Sequence, residues 1–398
     1  MQKKSILFLT TQLPYPPNSG GTVKSWNYVK HLSKSNELIV GSLLKDEDQK
    51  HEKAFQENID LSDYFSERVN IPRSPLNLIL SYFTAPCLNI FRNRSFAFAE
   101  KVEKLAKSVD FIIVDHYEVF QFVPKGFKGK VIMHTHNAEF MLWQRMSELS
   151  TNPIKSAILK LESNRVKKYE RKIFSQSDLI YSTPSDIALY AEHGIDTSNH
   201  RVTYHLGNDT LLALTDLKFE KTEKAISFMG TLSWEPNIDG LVWFIKEVWP
   251  LIKSNEPNVV FYIMGKNPDN RIMEAINKDS NIILTGFVKD LDSYLKKTRA
   301  YIAPLRFGSG MKVKVLEGLY RGVPSVATTV AAEGLELQTG KDIFIEDNPK
   351  GFASACNILL NEENTWNRFR DNSRKIAQEK YTWPMLFKQM DESFEKLS

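Results

Sequence analysis

The stretch Tyr301–Glu336, YIAPLRFGSGMKVKVLEGLYRGVPSVATTVAAEGLE, decides how this chain is read. It describes a buried strand, a glycine-rich turn, a short basic helix, a Gly-Val-Pro stop, a second strand and another glycine turn. A helix opening at Gly308-Ser309-Gly310 presents free backbone N–H groups and the positive end of its dipole, an arrangement that holds phosphate. Lys312 and Lys314 fall in its first turn, where the dipole disfavours cations, so an anion nearby accounts for them. Glu317, one turn past Lys314, is placed to accept hydrogen bonds from sugar hydroxyls. Together these residues point to a site for a sugar carried on a nucleotide diphosphate.

Working outward, the second half of the chain repeats the same alternation. AISFMG (225–230), NVVFYIMG (258–265), NIILTGF (281–287), AYIAPL (300–305) and PSVATT (324–329) are apolar runs, several of which end in glycine. Glycines there suit loops at the carboxyl ends of strands that approach a ligand. The first half has SILFLT (5–10), ELIVGSL (37–43), DFIIVD (110–115), KVIMHT (130–135) and DLIYST (178–183). Continuous apolar runs of this length suit parallel strands buried on both faces, alternating with helices in a Rossmann-like sheet. Residues 207–223 read as a connector. The tail is helical in pattern, with a break at Trp383-Pro384.

At 398 residues the chain suits two domains rather than one core. Hydrophobic residues are 42% and charged residues 25%, a globular balance. The net charge of +4 is too mild to call for nucleic acid. Lys3-Lys4 is followed only by SILFLTT, which reads as a first strand and not as a leader peptide. Cys87 and Cys356 build neither a disulfide framework nor a zinc site, so a reducing cytoplasm is the expected compartment.

Other segments carry chemistry with a structural alternative beside it. Gly230-Thr231-Leu232, with Pro236-Asn237 after it, lets backbone approach a phosphate, or is a plain strand–turn–helix with Asn237 as cap. His134-Thr135-His136-Asn137-Ala138-Glu139 ends a strand. A metal pair there lacks a further His or Cys to complete it, and the bland reading is a strand end capped by Asn137. Asp46-Glu47-Asp48 and Asp290-Leu291-Asp292 have the D-x-D spacing of metal-dependent transferases but read as caps. Residues 154–176 place Ile154, Ile158, Leu161, Tyr169 and Ile173 at helical spacing opposite Lys and Arg. That helix and the apolar segment Leu76–Phe91 fit either contact with an anionic lipid surface or packing against the first sheet; packing is favoured for the apolar segment.

The segment Pro304–Glu317, P-L-R-F-G-S-G-M-K-V-K-V-L-E, with Gly322-Val323-Pro324 behind it, resembles the donor-site signature of the retaining glycosyltransferases of family 4. It matches the branch that writes P-L-R-x-G-S-G-x-x-x-K-x-L-E in place of the full E-x7-E motif. Ser309 stands where most of the family has the first Glu. The resemblance implies the GT-B fold: two Rossmann-like domains facing each other across a cleft, residues 1–206 and 224–383, with 384–398 crossing back to the first. It implies transfer of a sugar from a nucleotide-diphosphate donor, UDP-sugar favoured over GDP-sugar, to an acceptor hydroxyl with retention of configuration. The acceptor is a glycan, a lipid-linked glycan or another hydroxyl compound, and no metal or other cofactor is required. By resemblance, Glu317 holds the ribose, the amides of Gly310, Met311, Lys312 and Val313 the diphosphate, and Arg306, Lys312 and Lys314 supply charge. Gly230 and Thr231 approach the phosphates, Phe287 and Val288 border the nucleobase, and Glu333-Gly334 line the sugar pocket. Gly20-Gly21 lie beside sugar and acceptor, with His136 facing them. Relatives of this kind serve cell-surface polysaccharide or glycoconjugate synthesis, at the inner face of the cell membrane where the acceptor is lipid-linked. A UDP-sugar 2-epimerase and an inactive, nucleotide-binding partner subunit share the fold and stay open at this point.

Overall fold

A computed structural model describes residues 3–17, 20–46, 48–148, 150–308 and 311–397. The chain forms two compact units: Met1–His205 together with Phe387–Ser398, and Leu206–Leu386.

The first unit is built on seven strands: β1 (Ser5–Thr10), β2 (Glu37–Leu44), β3 (Asp63–Arg68), β4 (Phe111–Asp115), β5 (Lys130–His134), β6 (Leu179–Ser182) and β7 (His200–Val202). They pair in parallel in the order β3-β2-β1-β4-β5-β6-β7. β4 and β6 are buried along their whole length, as their unbroken apolar runs require. β3 (DYFSER) lies at the edge, is half-exposed and carries no apolar run, which is why no strand was legible there. Gly41 on β2 faces Phe65 on β3 in register; a Cβ there would lie 2.4 Å from the Phe65 ring. The register also aligns Thr10, Asp115, His134 and Tyr181 in one row at the carboxyl edge of the sheet. The end of the helix Trp383–Leu397 packs on this unit: Phe387 stacks on His31 with centroids 4.0 Å apart, and Asp391 meets His31 Nε2 at 2.8 Å.

The second unit has six parallel strands: β8 (Ala225–Met229), β9 (Val260–Met264), β10 (Ile282–Gly286), β11 (Ala300–Ala303), β12 (Ser325–Ala327) and β13 (Phe344–Ile345). Their order is β10-β9-β8-β11-β12-β13. The residues read as a connector are part of this unit. Arg374 Nη2 donates to the Leu212 carbonyl at 2.6 Å, Arg370 Nη1 to that of Leu217 at 2.6 Å, and Arg321 Nη1 to that of Thr215 at 2.9 Å.

Three local expectations need correction. The basic helix runs Val313–Arg321 and does not open at Gly308; Gly308 has φ +139° and Lys312 is extended as the N-cap, so neither is helical. Lys314 is thus the second helical residue, and Lys312 lies just outside. In the helix Pro153–Phe174, Tyr169 and Ile173 are buried, but Ile154, Ile158 and Leu161 face solvent. The apolar segment divides as well: Cys87–Phe91 are buried, whereas the helix Pro75–Thr84 buries only Ser81. Of the two acidic pairs read as caps, Asp290 Oδ1 accepts from the Asp292 amide just before the helix Asp292–Leu295, whereas Asp48 occupies an N-cap position but turns its Oδ2 to the preceding Lys45 amide; Glu47 lies outside the described residues. Cys87 and Cys356 are unpaired and buried, one in each unit.

Candidate functional site

In the second unit the residues singled out from sequence cluster just beyond the carboxyl ends of β8, β10, β11 and β12, the edge where parallel sheets bind ligands. Lys314 and Glu317 are the two ionisable groups that the helix Val313–Arg321 carries into this edge. Lys314 donates to Asn237 Oδ1, and its ammonium lies 5.0 Å from the Phe228 ring centroid and 5.7 Å from that of Trp234. Burial there, with the Lys312 charge nearby, lowers it to about 7. Asn237 itself is buried and donates to the Thr231 carbonyl at 2.9 Å. A side chain at Gly230 would strike Asn237 Nδ2 at 2.7 Å, so the glycine secures the amide that holds the lysine.

Glu317 is 6% exposed. Its Oε1 accepts from the Asn208 amide at 3.0 Å, and its Oε2 has no hydrogen-bond partner. Burial pushes it up to about 7, with Asp209 adding to the effect and the Asn208 amide opposing it. Gly207 is required beside it, since a Cβ there would sit 2.4 Å from Glu317 Oε1. Gly207 and Asn208 were missed as site residues, because a connector with no apolar pattern gives no local signal.

The other predicted residues of this unit fall nearby in sequence position but differ in state. Lys312 and Met311 are buried, Val313 is half-buried and Thr231 is exposed. Arg306 forms a two-pronged pair with Asp239, at 2.8 and 2.5 Å, so its charge is already matched. Phe287 is exposed with Lys266 Nζ 4.4 Å from its ring centroid, and Val288 beside it is half-buried. Glu333 and Gly334 follow β12 and the short helix Thr329–Ala332, with Gly334 at φ +81°. Ser309 and Gly310 lie outside the described residues.

The first unit carries a second cluster, centred on Asp115 at the end of β4. Asp115 is fully buried. Its Oδ1 lies 2.7 Å from both His134 Nδ1 and His136 Nε2, and its Oδ2 accepts from Ser25 Oγ at 2.6 Å and Thr10 Oγ1 at 3.2 Å. Burial opposes its charge, but His136, His116 and these donors hold it well below the usual carboxylate range. Because a carboxylate only accepts, the protons sit on His134 Nδ1 and His136 Nε2. His134 Nε2 and His136 Nδ1 are left as buried nitrogens without a partner. The second of these faces Gly21, whose Cβ, if it had one, would lie 3.7 Å from it. Gly20 and Gly21 open the helix Gly20–Leu32, and one turn on, Lys24 is buried with Nζ donating to the Thr135 carbonyl at 3.3 Å. Burial lowers Lys24 to about 7 against the pull of Asp115 and Asp186. His116 has φ +87° and stacks on His136 with centroids 3.8 Å apart, and His205 Nε2 meets the His136 carbonyl at 2.9 Å.

The expectation that no further His stands near this pair is corrected here, since His116 and His205 lie beside His136, and Asp115 joins the two histidines as a third potential ligand. The geometry is nonetheless that of hydrogen bonds: both nitrogens share one carboxylate oxygen at 2.7 Å. Three ligands placed about 2.0–2.2 Å from a zinc ion stand farther from one another than that. Asp115, His116 and Lys24 were not anticipated. Aligning the carboxyl ends of predicted neighbouring strands would have brought Asp115 beside His134.

Comparison with known proteins bears on both units. Residues 223–362 match the family model described as glycosyl transferases group 1. Over 96% of this chain and 97% of its own length, an uncharacterised 44.6 kDa protein in the cps region of Klebsiella pneumoniae is 23% identical. Anabaena HepE, solved with UDP and glucose, superposes with a TM-score of 0.67 at 13% identity over 98% of this chain and 99% of its own. A TarM variant from S. aureus, solved with Fondaparinux, alpha-GlcNAc-glycerol and UDP, gives 0.67 at 12% identity, covering 99% of each chain. Sucrose-phosphate synthase from Thermosynechococcus elongatus gives 0.68 at 12% identity over 99% of each chain. The fold is GT-B.

Proposed function

We propose that this protein is a glycosyltransferase that moves a sugar from a nucleotide-diphosphate donor, UDP-linked in preference to GDP-linked, to an acceptor hydroxyl with retention of configuration. The observation that carries the reading is the pair of half-buried Lys314 and buried Glu317, both shifted to about 7, with Glu317 Oε2 lacking a partner. A diphosphate beside Lys314 and ribose hydroxyls on Glu317 supply the opposite charge and the donors these groups lack. The match to glycosyl transferases group 1 spans both residues, and solved neighbours of this fold carry UDP.

In this reading the leaving diphosphate is stabilised by the amides at the start of the helix Val313–Arg321 and by Lys314 and Lys312. His136 offers an unprotonated Nδ1 that accepts a hydrogen bond from a substrate hydroxyl, and Asp115 fixes the tautomer that makes it an acceptor. Ser309 replaces a carboxylate that usually orients the sugar, so main chain does that work. The reaction needs no metal or other cofactor, and the acceptor is a glycan, a lipid-linked glycan or a comparable alcohol. The setting is cell-surface polysaccharide or glycoconjugate synthesis, in keeping with the relative from a cps region, and the place is the cytoplasmic face of the membrane.

The test is a thermal-shift screen with UDP, GDP, ADP, dTDP and their sugar conjugates, with and without EDTA. A ligand at about a hundred times its Kd stabilises the fold by about 2.7 kcal/mol. An EDTA-insensitive shift with one base, followed by release of that diphosphate when acceptor is added, is the expected result. A shift without turnover on any acceptor points to an inactive partner subunit, and no shift with any nucleotide overturns the reading.

A further inference from the structure

The helix Pro75–Thr84 in the first unit has an apolar face that nothing among the described residues covers. Leu76, Ile79, Leu80 and Phe83 are exposed, Phe83 by 83%. Scattered apolar side chains on a surface need no explanation, but four on one helix of ten residues, repeating at i, i+3, i+4 and i+7, form a ridge. The helix Pro153–Phe174 extends it with exposed Ile154, Ile158 and Leu161. Arg165 ties the two helices together: Nη2 donates to the carbonyls of Ser81 at 2.7 Å and Ala85 at 3.0 Å, and the guanidinium lies 4.0 Å from the Tyr82 ring centroid. Arg165 meets the buried side of the helix Pro75–Thr84, so that helix stands against the basic one with its apolar row turned to solvent.

The segments that carry these apolar residues are predominantly cationic, although Arg68 is paired with Asp46 at 3.5 Å. Residues 68–99 contain Arg68, Arg73, Arg92 and Arg94 and no Asp or Glu. The helix Pro153–Phe174 contains seven Lys and Arg against two acids, Glu162 and Glu170, and both acids are 1% exposed. Glu162 is engaged by Arg165 and the Leu88 amide, and Glu170 by the amides of Glu139 and Phe140. The solvent-facing charge of that helix is therefore wholly cationic. No helix among the described residues is long and apolar enough to cross a membrane.

We infer that this face of the first unit docks on a bilayer containing anionic phospholipid. The apolar ridge enters the boundary between headgroups and acyl chains, and the surrounding Lys and Arg meet the headgroup phosphates. At about 1.5 Å per residue the helix Pro75–Thr84 is far too short to span, so it lies in the plane of the interface. The inference is independent of the nucleotide site.

The test is co-sedimentation of the full chain with vesicles of phosphatidylcholine, with and without about one-third phosphatidylglycerol, at low and high salt. The wild type is expected in the vesicle fraction only with phosphatidylglycerol and mainly at low salt. The double variant Ile79→Asp, Phe83→Asp is expected to lose at least tenfold in partitioning with an unchanged melting temperature, since both side chains already face water. Lys155→Glu with Lys160→Glu, both exposed, should lose more than tenfold on anionic vesicles alone, at roughly fivefold per cation removed. Wild type left in the supernatant at low salt overturns the inference, as does equal binding by the folded variants. A wild-type dimer that Phe83→Asp converts to monomer overturns it in favour of an interface between copies.

Discussion

Asp115 and Glu317 are both buried carboxylates just past the middle strands of parallel sheets, one in each unit, and they are in opposite states. Asp115 receives hydrogen bonds from Thr10, Ser25, His134 and His136, and the neighbouring His136 and His116, with the His134 hydrogen bond, hold it well below the usual carboxylate range in spite of complete burial. Glu317 has one backbone amide, one empty oxygen, and a proton affinity raised to about 7. The difference lies in the neighbouring histidines and donors, not in burial. A carboxylate with its donors supplied by the fold is a finished bridge that orients other groups. One left short of donors is poised for a ligand that brings them.

The largest expected effect comes from breaking the finished bridge. Asp115→Asn keeps the shape but replaces one acceptor oxygen with a donor that faces protonated ring nitrogens or hydroxyls. Removing one side of a buried charged network costs about 3–5 kcal/mol, so a fall of that size in urea-unfolding stability is expected. The tautomer of His136 should change as well, which nitrogen-15 chemical shifts of the ring report directly. Unchanged stability and unchanged shifts would mean that Asp115 is not the orienting group.

A smaller effect separates the poised site from the finished one. Lys314→Ala should weaken binding of UDP-glucose, or of the matching donor found by screening, by about tenfold to a hundredfold, the range of one charge-assisted contact. A pH signature accompanies it. The unliganded ammonium titrates near 7, below its ordinary 10.5, and a diphosphate binds the protonated form. Wild-type affinity should lose the Lys314 contribution as pH rises above 7, so the advantage of wild type over the alanine variant should be largest below pH 7 and shrink above it. The diphosphate of a sugar nucleotide has no proton to lose in this range, so the slope belongs to the protein.

The contrast between the two carboxylates also bears on what a sequence reveals. The strands of both sheets were legible because parallel strands covered on both faces must be apolar throughout, as SILFLT and DFIIVD are. β3, β7 and β13 were not: the first is a polar edge strand, and the other two have three and two residues. Lys314 and Glu317 were legible because they share one helix and one local motif. Asp115 was not, because its meaning lies in register: it stands opposite Thr10 on one side and His134 on the other, 105 and 19 residues away. The same limit hid Gly207, whose missing side chain makes room for a glutamate on a distant helix. Residue type and local spacing are printed in the chain, whereas pairing across a sheet appears only once the strand order is known.

The finest separation comes from Glu317→Gln, where stability and function should move in opposite directions. Between its ordinary 4.5 and about 7, the folded chain holds a proton on Glu317 that the unfolded chain has released. Folded protein then binds more protons than unfolded, so this group makes stability fall as pH rises through that window. Above pH 7 the ionised carboxylate is buried with a single donor, a state the neutral amide does not share. The glutamine variant should match the wild type near pH 5 and exceed it at pH 8 by about 1–3 kcal/mol, given 1.36 kcal/mol for each unit of pKa. Nucleotide binding should weaken at both pH values, because an amide accepts from ribose at one atom only. A stability difference that stays flat from pH 5 to 8 would show that Glu317 titrates normally and is satisfied without ligand. A difference that opens with pH while binding falls would identify a residue kept at the expense of the fold, the pattern of a site selected for what it binds.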